Sequence, residues 1–270
     1  MGARILIVED DADINEIIAV HLARQGHTCT QAYSGTEGVM RLGGGPMGAG
    51  GAAGSAVAAA GGAHAEEPIP YDLVICDLML PGATGEELIA QVRGRDPELP
   101  VIVISARTST TDRIYLLKLG ADDYLTKPFD LDELAARVEV QLRHRRLKGP
   151  DVAARSGAAS GGDGRGGAGM ARTLTFRAWE LDPASRSFSV DDEALDLTRI
   201  EFNLIETLMR QPKRAFSKQD LFEAAWGEPY AGDDNTVTVH MSNIRAKLKP
   251  SGTDGYIKTV WGIGFKLNEA

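Results

Sequence analysis

The sequence has 270 residues, a formal net charge of −9 and two cysteines, Cys29 and Cys76. Its length accommodates two domains, and its acidic total disfavours non-specific coating of nucleic acid. Two cysteines exclude a disulfide framework or a metal cluster, so we expect reduced thiols in a cytoplasmic protein. The sequence contains no recognisable signal peptide and no apolar stretch of membrane-spanning length, so we expect no membrane association.

Glycine is unevenly distributed, and its excess divides the chain. Two stretches, 43–66 and 148–171, together hold 17 of the 31 glycines. Sequence rich in Gly and Ala is typical of flexible segments. We therefore predict a first domain over 1–147 that is interrupted at 43–66, a flexible linker over 148–171 and a second domain over 172–270.

Short apolar runs alternate with amphipathic segments in the first domain. The predicted strands are 5–8, 28–32, 73–76, 101–104 and 123–125. The predicted helices are 13–24, 34–42, 85–93, 111–119 and 131–146. This alternation predicts a parallel sheet with helices on both faces, and such sheets place their functional residues beyond the carboxyl ends of the strands.

Polar side chains follow four of these strands. They are Glu9 and Asp10 after the first strand, Asp77 after the third, Ser105 after the fourth and Lys127 after the fifth. Clustered carboxylates require a cation, and oxygen ligands suit Mg²⁺. A carboxylate can accept a phosphoryl group, while a metal ion neutralises the charge of that group. The pattern therefore predicts a magnesium-dependent phosphoryl site.

Simpler structural roles account for some of the neighbouring polar residues. Asp11 and Asp13 fit the acidic positions at the start of a helix, where the helix dipole favours negative charge. Ser105 taken alone is compatible with a helix cap. Caps do not account for Asp77 together with the acidic pair and Lys127.

Four ordered motifs of the first domain closely resemble the receiver domain of two-component response regulators. They are RILIVEDD at 4–11, DLMLP at 77–81, SAR at 105–107 and GADDYLTKPF at 120–129. The resemblance implies a flavodoxin-like (βα)₅ fold in which Asp77 accepts phosphate from a histidine kinase. It implies that Glu9, Asp10, Asp77 and the backbone carbonyl of Met79 hold Mg²⁺. It also implies that Ser105 and Lys127 contact the phosphoryl group and that Tyr124 is an aromatic switch.

Two features depart from that family. Many receivers have Gly-Met-Asp-Gly or Gly-Leu-Asp-Gly after the proline, whereas this chain has GATG at 82–85. The change is expected to alter the lifetime of the phosphate rather than the chemistry. Receivers also have a short loop where this chain has 43–66, which is therefore predicted to be an insertion of unknown purpose.

The second domain has a different pattern, with strands on both sides of a group of helices. Strand-like pieces lie at 174–176 and 188–190, and helices are predicted at 199–210, 218–226 and 236–249. A hairpin follows, with strands at 257–260 and 264–267 around a turn that contains glycine. The order predicts an α+β winged helix-turn-helix domain.

The third of these helices has the composition of a DNA-binding element. Val237, Met241, Ile244 and Leu248 recur at helical spacing and predict a buried stripe. Residues 235–249 contain three cations and no acid. A basic and polar helix after a short turn suits insertion into the major groove.

The second domain resembles the effector domain of the OmpR/PhoB class. The matching motifs are LTRIEFNLI at 197–205, DNTVTVHMSNIRAKL at 234–248 and IKTVWGIGFK at 257–266. The resemblance implies two sets of DNA contacts. Base contacts are expected from Thr238, Val239, Ser242 and Asn243. Phosphate contacts are expected from Thr236, His240, Arg245 and Lys247.

Two departures affect how this domain is expected to bind DNA. Many relatives carry arginine at two positions where this chain has Ser242 and Asn243, which predicts fewer guanine or phosphate contacts. Trp261 occupies the turn of the hairpin where several relatives place a minor-groove arginine. Trp261 is predicted either to pack on sugar and backbone or to pack on the core of its own hairpin.

Dimerisation and partners follow from the same resemblance. Relatives pair through cross-subunit ion pairs, and the matching residues here are Arg113, Asp122, Glu133 and Arg137, for which ordinary surface charge is the alternative. The implied partners are a sensor histidine kinase, double-stranded promoter DNA, RNA polymerase and a second copy of the chain. A two-fold dimer requires half-sites spaced about one helical turn apart.

Three functions were weighed against the sequence. The leading prediction is a phosphorylation-activated transcription factor, which is not an enzyme. A haloacid-dehalogenase-like phosphatase with Asp77 as nucleophile requires a second aspartate two residues later, and Met79 stands there. A regulator that acts without phosphate is the third possibility, and the complete set of acidic residues, Ser105 and Lys127 disfavours it.

Overall fold

A computed structural model describes residues 2–43, 69–107, 109–146, 173–227, 229–230 and 234–268 of the chain. The N-terminal part forms a parallel sheet. Its strands are β1 (Arg4–Val8), β2 (Thr28–Ala32), β3 (Leu73–Asp77), β4 (Val101–Ser105) and β5 (Asp123–Thr126), in the spatial order β2-β1-β3-β4-β5. Its helices are α1 (Ala12–Arg24), α2 (Gly35–Leu42), α3 (Gly85–Arg95), α4 (Thr110–Leu119) and α5 (Leu131–Arg146). The predicted flavodoxin-like fold is confirmed, and the element bounds differ by one or two residues.

Alternation along the strands builds an apolar core on each face of this sheet. In β1, Ile5 and Ile7 pack with the cluster under α1 and α5. Leu6 and Val8 pack on the opposite face, with the cluster under α3 and α4. Because both faces are covered, the strands are continuously apolar, as parallel strands buried on both sides generally are.

Side-chain caps fix where the helices of this domain begin. Asp11 accepts hydrogen bonds from the backbone N–H groups of Asp13 and Ile14, which confirms the helix-start role expected for this acid. Ser34 caps α2 by accepting from the N–H of Glu37. Such caps satisfy N–H groups that have no partner within the helix.

The C-terminal part joins a small sheet, three helices and a hairpin. The first sheet is antiparallel and contains β6 (Leu174–Phe176), β7 (Trp179–Asp182), β8 (Ser187–Val190) and β9 (Glu193–Ala194). The helices are α6 (Arg199–Arg210), α7 (Lys218–Trp226) and α8 (Asp234–Leu248). The last sheet has the order β10-β12-β11 and consists of β10 (Phe216–Ser217), β11 (Ile257–Val260) and β12 (Gly264–Leu267).

Three strands of this domain were not predicted. β9 and β10 each span two residues and are too short to produce an apolar pattern. In β7 only Trp179 and Leu181 point into the core, and both are buried. α8 was expected to continue to Lys249, but the chain turns into a short 3₁₀ segment at Lys249–Ser251, since Pro250 cannot continue an α-helix.

The two domains contact one another directly. α4 packs against α8. Trp226 Nε1 donates a hydrogen bond to the carbonyl oxygen of Asp122 at 3.2 Å. Arg186 pairs with Glu98, with 2.9 Å between Nη2 and Oε1. One side of the C-terminal domain is therefore closed off by the N-terminal domain.

Two predicted segments, the insertion at 43–66 and the linker at 148–171, lie almost wholly outside the described residues, so the domain boundaries stay predictions. Within the part of the chain that the structure describes, no helix is both long and apolar enough to cross a lipid bilayer.

Candidate functional site

Three carboxylates meet at the carboxyl edge of the parallel sheet. Glu9 and Asp10 follow β1, and Asp77 ends the neighbouring strand β3. One oxygen from each carboxylate lies within 4.8 Å of the others. Glu9 and Asp77 are buried, whereas Asp10 is exposed and leaves the cluster open to solvent.

Lys127 binds two of these carboxylates from the end of β5. Its Nζ lies 2.6 Å from Glu9 Oε2 and 2.6 Å from Asp77 Oδ2. Burial raises the pKa of Glu9, although the hydrogen bond from Lys127 opposes that shift. Burial lowers the pKa of Lys127, but its hydrogen bonds to Asp77 and Glu9 outweigh burial and raise it overall. The ammonium group therefore stays charged beside the two acids.

The donor set at this edge is compatible with a divalent cation. The three carboxylates supply oxygen ligands only, which is the preference of Mg²⁺. Among the described residues, the ammonium group of Lys127 pairs with two of the three acids, so negative charge remains for a metal ion to neutralise. The N–H of Met79 donates to Asp77 Oδ1 at 3.0 Å and orients that carboxylate. The side chain of Met79 is exposed.

Ser105 and Tyr124 both contact Arg107, in the loop between β4 and α4. Ser105 is buried at the end of β4, and its Oγ accepts a hydrogen bond from the Arg107 N–H at 3.2 Å. The hydroxyl of the buried Tyr124 donates to the Arg107 carbonyl. Ser105 thus stabilises this loop rather than capping α4, whose N-cap is Ser109. A displacement of either side chain acts directly on the segment that leads into α4.

The GATG segment at 82–85 holds the cap of α3, which was not predicted, although the helix begins at Gly85 as predicted. Thr84 caps α3 and forms a reciprocal capping box with Glu87. The motif Thr-x-x-Glu at 84–87 is the sequence pattern that predicts such a capping box. Gly85 follows, and a Cβ atom at this position would come within 2.4 Å of the carbonyl oxygen of Asp77. Glycine is therefore required where α3 passes close to the site.

Four of the nine predicted DNA-binding residues line one cleft between α8, the start of α7 and the hairpin. They are Thr238, Ser242, Arg245 and Trp261. Arg245 Nη2 donates to the carbonyl of Ile257 at 2.8 Å and to Thr259 Oγ1 at 2.9 Å, so it ties α8 to the hairpin. The cleft carries polar and basic groups on its helical wall and apolar groups on the hairpin.

Trp261 occupies the exposed tip of that hairpin. Its exposed fraction is 92%, which excludes packing on the core of the hairpin in this structure. Ile263 beside it is also exposed, at 54%. An exposed apolar pair of this kind marks an interaction surface.

The other predicted DNA contacts are engaged within the chain. Thr236, Val239 and His240 are buried. Asn243 Nδ2 donates to the carbonyl of Leu117 at 3.0 Å, and Lys247 Nζ lies 2.7 Å from Glu201 Oε2. The structure thus divides the predicted surface into an open part and an occupied part.

His240 is a surface residue in the prediction and a buried residue in the structure. It is 1% exposed, and its ring meets Trp226 edge to face at 5.2 Å between centroids. Burial lowers the pKa of His240 to about 4. Neither ring nitrogen has a hydrogen-bond partner among the described residues. Helical periodicity alone does not reveal this environment, because the residues that cover His240 lie elsewhere in the chain.

Three of the predicted dimer residues form ion pairs within one chain. Asp122 is buried and accepts from Arg93 Nη2 at 2.5 Å. Arg137 contacts Glu133 at 2.8 Å and Asp123 at 2.9 Å. The partners Arg93 and Asp123 were not predicted from the sequence. The side chain of Arg113 lies outside the described residues.

Two protein families match consecutive parts of the chain. The family described as response regulator receiver domain matches residues 50–139, and the family described as transcriptional regulatory protein, C terminal, matches residues 192–267. The first match begins after β2, so the acids that follow β1 lie outside it. The two matches have the order predicted from the motifs.

Individual relatives match over nearly the full length. The chain is 31% identical to response regulator MprA of Mycolicibacterium vanbaalenii over 100% of this chain and 99% of the relative. It is 32% identical to SphR of Synechococcus elongatus, an alkaline phosphatase synthesis transcriptional regulatory protein, over 98% of this chain and 91% of the relative. A solved structure of a RitR mutant covers 100% of both chains with a TM-score of 0.68 and 20% identity, which supports the fold.

Proposed function

Because this chain belongs to the two-component response regulators of the OmpR/PhoB class, we propose that it is a DNA-binding transcription regulator switched by phosphorylation of Asp77. The observation that carries the proposal is the position of Lys127, whose ammonium group contacts both Glu9 and Asp77. An acidic pair, a third carboxylate and a cation lie together at one open edge of the sheet, which supports the assignment of Asp77 as the acceptor. Glu9, Asp10 and Asp77 would hold Mg²⁺ there, with the backbone carbonyl of Met79.

The chemistry is transfer of a phosphoryl group from a phosphohistidine of a sensor kinase. An oxygen of Asp77 attacks phosphorus, the P–N bond breaks, a P–O bond forms and the leaving imidazole retains its electron pair and takes up a proton. Lys127 and Ser105 contact the phosphoryl oxygens, with Tyr124 as the switch. When bound, Mg²⁺ supplies positive charge that offsets the negative charge of the transferred group.

The C-terminal domain reads DNA through α8 and the hairpin. We expect base contacts from Thr238, Val239, Ser242 and Asn243 and contacts to the DNA backbone from Thr236, His240, Arg245, Lys247 and Trp261. The contacts of Thr236, Val239, His240, Asn243 and Lys247 require these residues to leave the buried or hydrogen-bonded positions that they have within the chain. The open cleft supports this proposal, because its wall of α8 carries Thr238, Ser242 and Arg245. Backbone contacts set the register and base contacts set the sequence preference.

Phosphorylation promotes pairing of two chains on repeated promoter half-sites in the cytoplasm, where the dimer contacts RNA polymerase. Arg113, Asp122, Glu133 and Arg137 belong to the proposed dimer face. Asp122, Glu133 and Arg137 already form ion pairs within one chain, so dimerisation exchanges internal pairs for pairs between chains. The partly exposed pair of Glu133 and Arg137 gains little free energy from such an exchange, which suits a reversible contact.

The first experiment measures phosphorylation of the full chain. Acetyl phosphate with Mg²⁺ is expected to add one phosphoryl group, detected by intact-protein mass spectrometry. Asp77→Ala is expected to remove the modification, while Asp13→Ala, which changes an exposed aspartate of α1, is expected to retain it. Equal modification of the wild type and Asp77→Ala would contradict the assignment of the acceptor.

The second experiment measures DNA binding. Genomic fragments are selected with the phosphorylated chain, and the best fragment is then used in gel shifts with and without acetyl phosphate. Affinity is expected to rise on phosphorylation of the wild type and to stay low for Asp77→Ala. The same affinity in all conditions would favour a regulator that acts without phosphate.

A further inference from the structure

The hairpin of the C-terminal domain presents an aromatic ring to solvent at its tip. Among the described residues, Trp261 is the most exposed large apolar side chain, and Ile263 beside it is also exposed. An indole has one hydrogen-bond donor and no charge, so it cannot replace the minor-groove arginine that several relatives carry at this turn. The tip is therefore suited to contacts that depend on shape and stacking.

The backbone of the hairpin fixes the position of this tip. Val260 and Gly264 pair across the hairpin, so the loop between them has three residues. The N–H of Ile263 donates to the carbonyl of Val260 at 3.0 Å, which closes the turn. Gly262 has a φ of +75°, in the left-handed region that favours glycine. Because the loop is short and closed by a hydrogen bond, Trp261 projects from a preformed support.

Two neighbouring elements hold the hairpin behind the tip. Arg245 of α8 donates to the carbonyl of Ile257 and to the hydroxyl of Thr259. On the other side, β12 pairs with β10, where a Cβ atom on Gly264 would come within 2.1 Å of the carbonyl oxygen of Phe216. The strands cannot shift without breaking these contacts. The tip is therefore fixed relative to α8 and can press against a partner without folding back.

The hairpin also carries positive charge that the chain itself does not neutralise. Lys258 and Lys266 stand opposite one another in the register of β11 and β12. Residues 257–267 contain no acid, and within the described ranges neither lysine forms an ion pair. Like charges directly opposite one another on paired strands are destabilising. A polyanion beside the tip would offset this repulsion, because its phosphates would pair with both ammonium groups.

The tip borders the surface that is proposed to bind DNA. Trp261 and Ile263 line the same cleft as Thr238, Ser242 and Arg245 of α8. When α8 lies in a major groove, the hairpin beside it therefore lies over the flanking phosphates and the neighbouring minor groove. Apolar side chains that enter a minor groove insert between base pairs and kink the duplex. Aromatic rings add stacking, which every base accepts.

We propose that Trp261 is a wedge: its indole passes the sugars of the minor groove beside the α8 site, inserts at one base step and kinks the DNA there. The inference rests on the proposed function and deepens it by naming the kind of DNA that the chain prefers. Pyrimidine–purine steps unstack and kink readily, whereas A-tracts are stiff and have a narrow minor groove. The chain therefore selects sites with a pyrimidine–purine step under the hairpin, a preference that needs no hydrogen bond to those bases.

The test measures the shape of the DNA as well as affinity, using the selected fragment and the phosphorylated full chain. 2-Aminopurine is placed in turn at each adenine of the bound region to report unstacking, and energy transfer between dyes at the two ends reports bending. Wild type is expected to raise the fluorescence severalfold at one pyrimidine–purine step and to shorten the end-to-end distance. Trp261→Arg, which contacts the groove by charge but does not insert, is expected to do neither. Met40→Ala, which removes an exposed apolar side chain of α2, is the control and is expected to match the wild type.

A change in the DNA gives an independent measurement. Replacement of the unstacked step by AA/TT is expected to lower wild-type affinity about tenfold and the affinity of Trp261→Arg less than twofold. The same fluorescence and the same bend for wild type and Trp261→Arg would overturn the proposal. A loss of affinity in Trp261→Ala without any change in bend would also overturn it, since the ring would then contact only the DNA backbone. If phosphorylated wild type binds no DNA, the proposed function itself fails.

Discussion

Lys127 shows how much of the site depends on one side chain. It stands between the two buried acids, and its ammonium group lies at the same distance from both. In the absence of a metal ion it is the cation that offsets the repulsion between Glu9 and Asp77. A phosphoryl group on Asp77 would add negative charge beside Lys127. The ammonium group would then be attracted away from the acids and toward the phosphoryl oxygens. Under the proposed function, Lys127 therefore stabilises the acidic cluster before phosphorylation and binds the phosphoryl group after it.

His240 gives the chain a pH dependence of stability with a defined sign. Its pKa is lowered from 6.5 to about 4 in the folded chain, chiefly by burial, with Arg93, Arg199 and Lys247 adding positive charge nearby and Glu201 opposing them. Because the unfolded chain binds the proton more readily, we expect stability to be lost as pH falls from 6.5 toward 4. The steepest slope is about 1.4 kcal/mol per pH unit.

The measurement is urea unfolding of the full chain at several pH values, comparing the wild type with His240→Phe. Phenylalanine keeps an aromatic ring beside Trp226 but cannot titrate. The difference in unfolding free energy between the two proteins should be constant above pH 6.5 and change below it. A difference that does not vary between pH 6.5 and 4.5 would contradict the burial of an uncharged imidazole.

Trp261 is expected to matter for binding and hardly at all for folding. Since the side chain is almost fully exposed, Trp261→Ala should change the unfolding free energy by less than about 0.5 kcal/mol. It should reduce DNA affinity about tenfold, because an apolar ring then no longer packs on the sugar and backbone. Gel shifts of the phosphorylated chain measure the loss. Unchanged affinity alongside unchanged stability would remove Trp261 from the DNA interface.

At the scale of elements, each face of α8 packs against a different part of the structure or faces the open cleft. Val237, Met241, Ile244 and Leu248 are fully buried in the core of the C-terminal domain, as the predicted stripe requires. Thr238 and Ser242 face the open cleft, whereas Asn243 faces α4. A single helix thus contributes to the core of its domain, to the proposed DNA-binding surface and to the contact with α4 that covers part of this surface.

Two substitutions in α8 distinguish backbone contacts from base reading. Arg245→Ala is expected to weaken binding to every DNA sequence and to reduce the salt slope by about 1. Asn243→Ala is expected to alter the preference at one base position. Binding is measured on the selected fragment and on random DNA over a range of salt concentrations. Equal losses on both DNAs for both variants would contradict this division of roles.

Arg245 has a second role that adds a check to that experiment. Its hydrogen bonds to Ile257 and Thr259 hold the hairpin against α8. Arg245→Lys keeps the positive charge but loses the planar fork of the guanidinium group. If the salt slope reports charge alone, the lysine variant should retain the wild-type slope even where its affinity falls.

At the scale of the whole molecule, the predicted insertion at 43–66 enters far from the proposed phosphorylation site. α2 ends at Leu42 and β3 begins at Leu73, at the end of the strand opposite Asp77. We expect a chain that lacks 43–66 to fold and to accept phosphate at Asp77 as the wild type does, because loop length affects closure entropy only weakly. Loss of phosphorylation in a deletion variant that unfolds cooperatively would give the insertion a direct role.

Local chemistry along the chain determined most of the fold and the grouping of residues at the proposed phosphorylation site. Parallel strands bring their carboxyl ends to one edge, so the order of strands and polar residues was enough to group the acids after β1 and β3 with Lys127 after β5. Periodicity likewise determined the core stripe of α8. β9 and β10 could not be predicted, because two-residue strands exist only through the partners with which they pair.

Tertiary structure alone decided which predicted surfaces are available. The periodicity of α8 gave no sign that His240 and Val239 are buried, because that depends on what packs against the helix. The contacts of Arg186 with Glu98 and of Asn243 with Leu117 join residues 88 and 126 positions apart. Sequence therefore determined which chemistry each domain carries, and packing between the domains decided how much of α8 is exposed, because burial depends on every neighbour in space.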